Sequence, residues 1–135
     1  MQKRLLLINL VAHLSVPLSL FFPILQVSEN ASSLTQGSGA FNVFDFIRLN
    51  QYTYVSILLL VFLLCELIGA GYAVYGLVKK ELPHLYRSTS FLLGFSSAVL
   101  GAMFISAGSY IFFTICALSF FFISYASIKL MKMEK

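Results

Sequence analysis

The chain has 135 residues, of which 59% are hydrophobic and 10% are charged, and its formal net charge is +4. Ordinary soluble domains carry about a quarter charged residues, and a soluble domain this small has too little interior to bury so much apolar surface. The composition therefore excludes an ordinary water-soluble domain and indicates a single membrane domain over residues 1–135.

The first predicted element is a membrane helix over about residues 5–25. It follows Lys3 and Arg4, as the apolar core of a signal peptide would. The run is close to the ~20 residues of a membrane span, however, and longer than the roughly 7–15 residues of a signal core. No small-x-small cleavage site follows it, because polar residues occupy those positions. We therefore expect a retained first span, bent at Pro17 and Pro23.

Residues 26–54 form a long polar segment, which we expect to be an extracytoplasmic loop that contains a short helix. The stretch SENASSLTQGSG shows no hydrophobic period and is typical of a loop. After it, Asn42, Asp45 and Arg48 recur at helical spacing, whereas the alternation of a strand fails. We expect a helix over Phe41–Leu49 in the membrane interface, capped by Asn42, or else a loop segment packed over the helix ends. The residues that define this interfacial helix are Phe41, Phe44, Asp45 and Arg48.

Three further spans are predicted. The apolar stretch over 91–128 would measure about 57 Å as one helix at 1.5 Å per residue, nearly twice a ~30 Å hydrocarbon core. It must therefore fold back, and 106–109 (SAGS) is the best turn. The predicted segments are a second span at 55–78, an inner loop at 79–89, a third span at 90–106, a fourth span at 110–128 and a tail at 129–135.

The basic residues predict the orientation of these spans. With four spans and the N-terminus inside, all of the nine lysines and arginines except Arg48 fall on the cytoplasmic side, as the positive-inside rule requires. Because these charges sit at the ends of apolar runs, we expect a lipid bilayer as the partner and no nucleic acid. The prediction is an all-α, four-helix membrane bundle with both termini cytoplasmic, in the plasma membrane of a bacterium.

Glu66 lies near the middle of the second span. An ionised acid at this depth costs roughly 2.5–3.5 kcal/mol on insertion scales, so we expect it to face the bundle. The best candidate partner is His13 in the first span, and Asn9, Tyr72 and Ser97 extend a polar line toward the cytoplasm. These residues indicate either a proton or cation site or a neutral acid that holds helices together by hydrogen bonds.

Small residues predict the faces on which helices pack. In the second span they lie beside Glu66, and in the third they recur at i, i+4 and i+8. The predicted packing residues are Gly69, Ala73, Gly76, Gly94, Ala98, Gly101 and Ala102.

The sequence carries no pattern of an active site. It has no paired carboxylates, no activated nucleophile and no phosphate-binding glycine loop. Cys65 and Cys116 lie singly inside apolar runs, without the spacing of metal ligands. We therefore expect no enzymatic activity, no metal and no cofactor.

The outline of four helices with an extended first outer loop resembles claudin-type tetraspan proteins, and the size and lone membrane carboxylate resemble small multidrug transporters. The chain lacks the claudin loop pattern of Trp and paired Cys, and Glu66 is in the second helix rather than the first, so neither resemblance assigns residues. We expect an accessory or assembly subunit that binds another integral membrane protein or forms a homo-oligomer. The alternatives are a small oligomeric proton- or ion-coupled transporter or channel using Glu66, and an immunity or stress protein that acts through its outer loop.

Overall fold

The structure, a computed structural model, describes residues 1–27, 39–49, 54–80, 86–105 and 109–133. Within these ranges the chain forms five helices and one pair of short strands, which confirms the predicted all-α class. In chain order the elements are α1 (Gln2–Ser19), β1 (Leu25–Val27), β2 (Gly39–Phe41), α2 (Val43–Leu49), α3 (Tyr54–Lys79), α4 (Tyr86–Ile105) and α5 (Tyr110–Met133).

Three of the described helices are long and apolar enough to cross a membrane: Tyr54–Lys79, Ser88–Ile105 and Tyr110–Met133. At 1.5 Å per residue they measure about 27–39 Å, against a hydrocarbon core of about 30 Å. α1 has 18 residues and is not among the three, because charged and polar residues interrupt its apolar sequence. The prediction of a membrane protein with transmembrane helices is thus supported by three helices of the required length and composition.

The four long helices pack side by side in a ring, in the order α1, α3, α4 and α5, with α5 returning to α1. Neighbouring helices run antiparallel, so that the C-terminal ends of α1 and α4 meet the N-terminal ends of α3 and α5. We call this the hairpin end of the bundle, because the β1–β2 pair and α2 also lie there, and the opposite end the lysine end, because Lys3, Lys79 and Lys132 lie there.

Each end has its own apolar cluster. The hairpin-end cluster consists of Val16, Leu20, Leu25, Val43, Phe46, Leu59, Leu100, Phe104, Phe112 and Cys116. The lysine-end cluster consists of Leu5, Leu6, Ala126 and Leu130, with Leu77 packed against it.

Two glycines let α4 approach α5 closely. A Cβ atom added to Gly101 would lie 2.8 Å from the Cβ of Cys116, and one added to Gly94 would clash with the side chain of Ile123. Ala98, by contrast, is only half-buried and Ala102 is exposed. A four-residue repeat drifts by about 40° per step around a helix of 3.6 residues per turn, which carries Ala102 out of the interface.

The corresponding face of α3 is buried as a whole, against α1 and α4. The small residues on this face that the structure buries are Gly69, Ala70, Ala73 and Gly76.

The segment between α1 and α2 contains a strand pair that the sequence did not predict. β1 and β2 run antiparallel, with Leu25 opposite Phe41. Strands of three residues are too short to show alternation. Since Phe41 belongs to β2, the helix begins at Val43 rather than at Phe41. Its start is fixed by two hydrogen bonds of 2.8 Å: the N–H of Val43 donates to the carbonyl of Leu20, and the N–H of Asp45 donates to Oδ1 of Asn42.

α2 closes the hairpin end of the bundle. The side chain of Phe46 is fully buried, and its ring meets the ring of Phe104 edge to face at a centroid distance of 5.3 Å. Phe104 in turn packs against Phe112 at 5.7 Å. The segment is therefore a helix, as predicted, and it packs over the ends of the long helices.

The opposite face of α2 is exposed. Phe44 is 62% exposed and its ring lies 5.5 Å from that of Phe21. Asp45 and Arg48 form an exposed ion pair in which Arg48 Nη2 lies 3.6 Å from Asp45 Oδ1. α2 thus presents one apolar and two charged side chains away from the core.

Several helix limits differ from the predicted span limits, since α1 begins at Gln2 rather than at residue 5 and α4 at Tyr86 rather than at residue 90. The first span was expected to reach residue 25, but α1 ends at Ser19 and the chain turns before Pro23, which has no N–H to continue a helix. The fourth was expected to end at residue 128, but α5 continues to Met133. Of the predicted turn at 106–109, only Ser109 lies within the described residues.

Candidate functional site

The centre of the bundle holds a polar cluster around Glu66. This residue lies in the middle of α3, about 18 Å from either end of the helix at 1.5 Å per residue. Its side chain is completely buried. Removing a carboxylate from water costs several kcal/mol unless other groups compensate it, so the contacts of Glu66 determine what the site can do.

His13 of α1 makes the closest of these contacts. Its Nδ1 atom lies 2.8 Å from Oε2 of Glu66, and its side chain is also completely buried. Gly69, one turn after Glu66, leaves the room for the imidazole ring. A Cβ atom at residue 69 would lie 2.6 Å from both ring nitrogens of His13. The small residue beside the acid is therefore what allows α1 to bring its histidine to α3.

Ser96 of α4 contacts the second carboxyl oxygen. Its hydroxyl donates to Oε1 of Glu66 at 3.0 Å, and it also lies close to the carbonyl of Leu93 in its own helix. The two oxygens of Glu66 are thus bound from two different helices. The carboxyl group joins α1, α3 and α4 at one point.

Two further side chains extend the cluster from the second ring nitrogen of His13. Its Nε2 atom lies 3.4 Å from Oγ of Ser90, which also accepts a hydrogen bond of 3.2 Å from the amide of Asn9. All these side chains are buried. The result is a continuous chain from Glu66 through His13 and Ser90 to Asn9.

One arrangement of protons satisfies every contact of His13 in this cluster and leaves the pair neutral. One proton between Oε2 of Glu66 and Nδ1 of His13, and a second on Nε2, leave the pair without net charge. Nε2–H then donates to Ser90, whose oxygen has two lone pairs and also accepts from Asn9. Apolar surroundings favour this neutral pair over an uncompensated negative charge.

α5 is tied to the same region of α1. The hydroxyl of Ser119 donates to the carbonyl of Ala12 at 2.7 Å, next to His13. Pro17 has no N–H to donate to the carbonyl of His13 one turn earlier. On the lysine side, Oδ1 of Asn9 is buried and accepts no hydrogen bond from the described residues.

The structure brings together three of the four residues predicted for this site. Glu66, His13 and Asn9 belong to the cluster, whereas Tyr72 is 39% exposed and lines the outer surface of α3 with Ile68. Tyr72 follows Glu66 by six residues, which places it about 120° away around the helix. The predicted interfacial residues lie at the hairpin end, away from this cluster.

Ser90 and Ser96 were not among the residues predicted for this cluster. Ser97 was predicted to extend the polar line instead, but its hydroxyl donates to the carbonyl of Gly94 in the same helix. The sequence feature that could have indicated them is the group of serines near Gly94, on the side of α4 that the structure buries. Sequence alone does not fix the rotation of α4 well enough to choose among adjacent serines.

Along the bundle, the polar cluster lies between two groups of packed apolar residues, the hairpin-end and lysine-end clusters. A surface groove of about 490 Å³ lies between α1 and α5, but neither Glu66 nor His13 lines it. Among the residues that the structure describes, no group of three His, Cys, Asp or Glu side chains could hold a metal ion. Comparison with known proteins finds no matching family model, no similar curated protein and no similar solved structure.

Proposed function

We propose that the protein is a non-enzymatic multi-pass membrane protein that serves as an accessory or assembly subunit, bound to a larger membrane protein or to copies of itself. In this proposal His13 and Glu66 form a clamp that fixes α1 on α3. One observation supports a structural role for this pair: both carboxyl oxygens of Glu66 and both ring nitrogens of His13 have partners inside one copy of the chain. A polar pair bound in this way stabilises helix association in a membrane without any ion.

The proposal includes four spans, with α1 as the first. α1 measures about 27 Å at 1.5 Å per residue, close to the ~30 Å of a hydrocarbon core. It packs along both α3 and α5, which are apolar enough to cross the membrane themselves. Its polar residues Asn9 and His13 face the bundle rather than lipid.

The proposed orientation places both termini in the cytoplasm, with the protein in the plasma membrane. The antiparallel ring brings the starts of α1 and α4 and the ends of α3 and α5 to one end of the bundle. The basic residues that the structure describes at that end are Lys3, Arg4, Lys79, Lys80, Arg87, Lys129 and Lys132. Arg48 lies at the opposite end and is paired with Asp45. This distribution is the one expected when the lysine end is cytoplasmic.

The exposed face of α2 supports a role in binding a membrane partner. Phe46 and the bond from Val43 to Leu20 hold α2 on the bundle, so its outer residues have a fixed position. These outer residues combine an exposed aromatic ring, Phe44, with the charges of Asp45 and Arg48. Such a fixed surface of mixed chemistry suits contact with another protein beside the membrane.

Two substitutions at Glu66 test this proposal. A glutamine can accept the hydrogen bond of Ser96 and donate to Nδ1 of His13, as the neutral acid does. We expect Glu66→Gln to fold and to retain the proteins that co-purify after extraction in mild detergent. Glu66→Ala leaves both neighbours without a partner and should lose about 0.6–2 kcal/mol of helix association, together with the co-purifying proteins. Loss of these proteins from a well-folded Glu66→Gln would contradict the clamp.

A second function is favoured by one observation, the direction of the hydrogen-bonded chain. From Glu66 it runs through His13 and Ser90 to Asn9, toward the lysine end. Such a line of exchangeable protons suits a proton-coupled transporter or channel built as an oligomer. A measurement of proton flux in liposomes distinguishes the two functions. A flux that is present with the wild type and absent with a folded Glu66→Gln would establish transport. Equal fluxes with the two proteins would exclude a transport role for Glu66 and favour the clamp.

A further inference from the structure

A small basic pocket lies at the lysine end, between the start of α1 and the end of α3. Its volume is about 250 Å³. The polar side chains stand at the helix ends, and the apolar ones lie about one turn deeper. The lining residues are Gln2, Lys3, Leu6, Gly76, Leu77 and Lys80.

The two lysines of this pocket come from two different parts of the chain, Lys3 from the start of α1 and Lys80 from the position just after α3. Both are exposed, and among the described residues no Asp or Glu lines the pocket. Lys80 sits where the chain leaves α3, at a φ of 59°, and its N–H donates to the carbonyl of Gly76 at 3.0 Å. The positive φ and this bond fix the direction of the chain at Lys80. The pocket therefore combines two cations with an apolar inner wall.

We propose that this pocket binds the headgroup of an anionic phospholipid. The phosphate lies between Lys3 and Lys80, the Gln2 amide donates to it, and the glycerol end of the acyl chains lies against Leu6 and Leu77. Basic pockets between membrane helices bind such headgroups. A lysine that only lies near a charged membrane surface adds about 1 kcal/mol, a factor of about five, and direct contact of two lysines with one phosphate should add more than this. The apolar inner wall favours a lipid over a free phosphate ion. This inference needs the protein to cross the membrane but does not depend on its accessory role.

The binding can be measured with spin-labelled lipids on the full-length protein in phosphatidylcholine vesicles. The quantity is the association of labelled phosphatidylglycerol relative to labelled phosphatidylcholine. Lys3→Gln with Lys80→Gln removes the two cations of the pocket. Lys79→Gln with Lys132→Gln is the matched control, because it removes two exposed cations of the same end that do not line the pocket.

We expect the wild type to prefer phosphatidylglycerol, the pocket variant to lose at least about fivefold of this preference, and the control to keep most of it. An equal loss in both variants would overturn the proposal in favour of a diffuse surface potential. A wild type without preference would overturn it as well. Displacement of the labelled lipid by millimolar glycerol phosphate, at constant ionic strength, would assign the pocket to a soluble phosphate instead.

Discussion

His13 can reach Glu66 because residue 69 has no side chain. The imidazole occupies the space where a Cβ atom would stand, and from there both of its nitrogens find partners on α3 and α4. Since interiors are close-packed, one methyl group at this point has no free volume to enter. The position of the histidine and the identity of residue 69 are therefore linked.

We predict that Gly69→Ala destabilises the bundle by about 1–3 kcal/mol, because the added methyl group overpacks the site and displaces the ring from Glu66. Gly71→Ala is the matched control, since a Cβ atom there meets nothing within 4 Å. It should leave stability unchanged or raise it by up to about 1 kcal/mol, as glycine-to-alanine changes in helices do. Unfolding in detergent measures both variants. Equal stabilities for the two would show that His13 can retreat without cost.

At the scale of single residues, the sequence predicted the pairing of Glu66 with His13 but not the serines that contact the pair. Glu66 and His13 could be matched because both are rare in apolar spans and lie at similar depths. Tyr72 was assigned to the same line by depth alone, without regard to its angle around α3. Ser90 and Ser96 could not be selected because serine is common along α4, and only the rotation of the helix distinguishes one from another.

Among the elements, α2 depends most on a single side chain. Its seven residues are too few to form a stable isolated helix, so tertiary contacts must hold it. Phe46 supplies them by inserting between the ends of the long helices, where it meets Phe104. The polar spacing predicted a helix here, but it left open which face packs, since phenylalanines occur on both sides. The strands beside it escaped prediction because their pairing joins residues that are distant in sequence.

We predict that Phe46→Ala costs about 3–5 kcal/mol, as expected when a fully buried phenylalanine is truncated. Phe44→Ala in the same helix should cost about 0.5–1.5 kcal/mol at most, from its contact with Phe21. Denaturation of the purified variants, with tyrosine fluorescence as the signal, gives both values. If Phe44→Ala lowered the stability more than Phe46→Ala, the face of α2 that packs on the bundle would be the one that carries Phe44.

For the whole molecule, the location of the cations predicts which end can be reached from outside the cell. In a background with Cys65→Ala and Cys116→Ala, Arg48→Cys should react with an impermeant maleimide on intact cells, because that side chain is 77% exposed at the hairpin end. Lys132→Cys should react only after the cells are permeabilised. Labelling of residue 132 on intact cells would reverse the proposed orientation or change the number of spans.

The placement of the clamp on α1 and α3 also affects the order in which the chain can enter the membrane during synthesis. These two helices are consecutive long segments, so both members of the pair are synthesised before Ser96 of α4. α3 is long and apolar enough to cross a membrane, whereas α1 does not meet the same measure of length and hydropathy. If α1 is the first span, as proposed, the nascent chain should enter lipid as a pair of antiparallel helices in which the insertion of α3 also draws α1 into the membrane. In that pair Glu66 would already contact His13 before the second half of the protein has been translated.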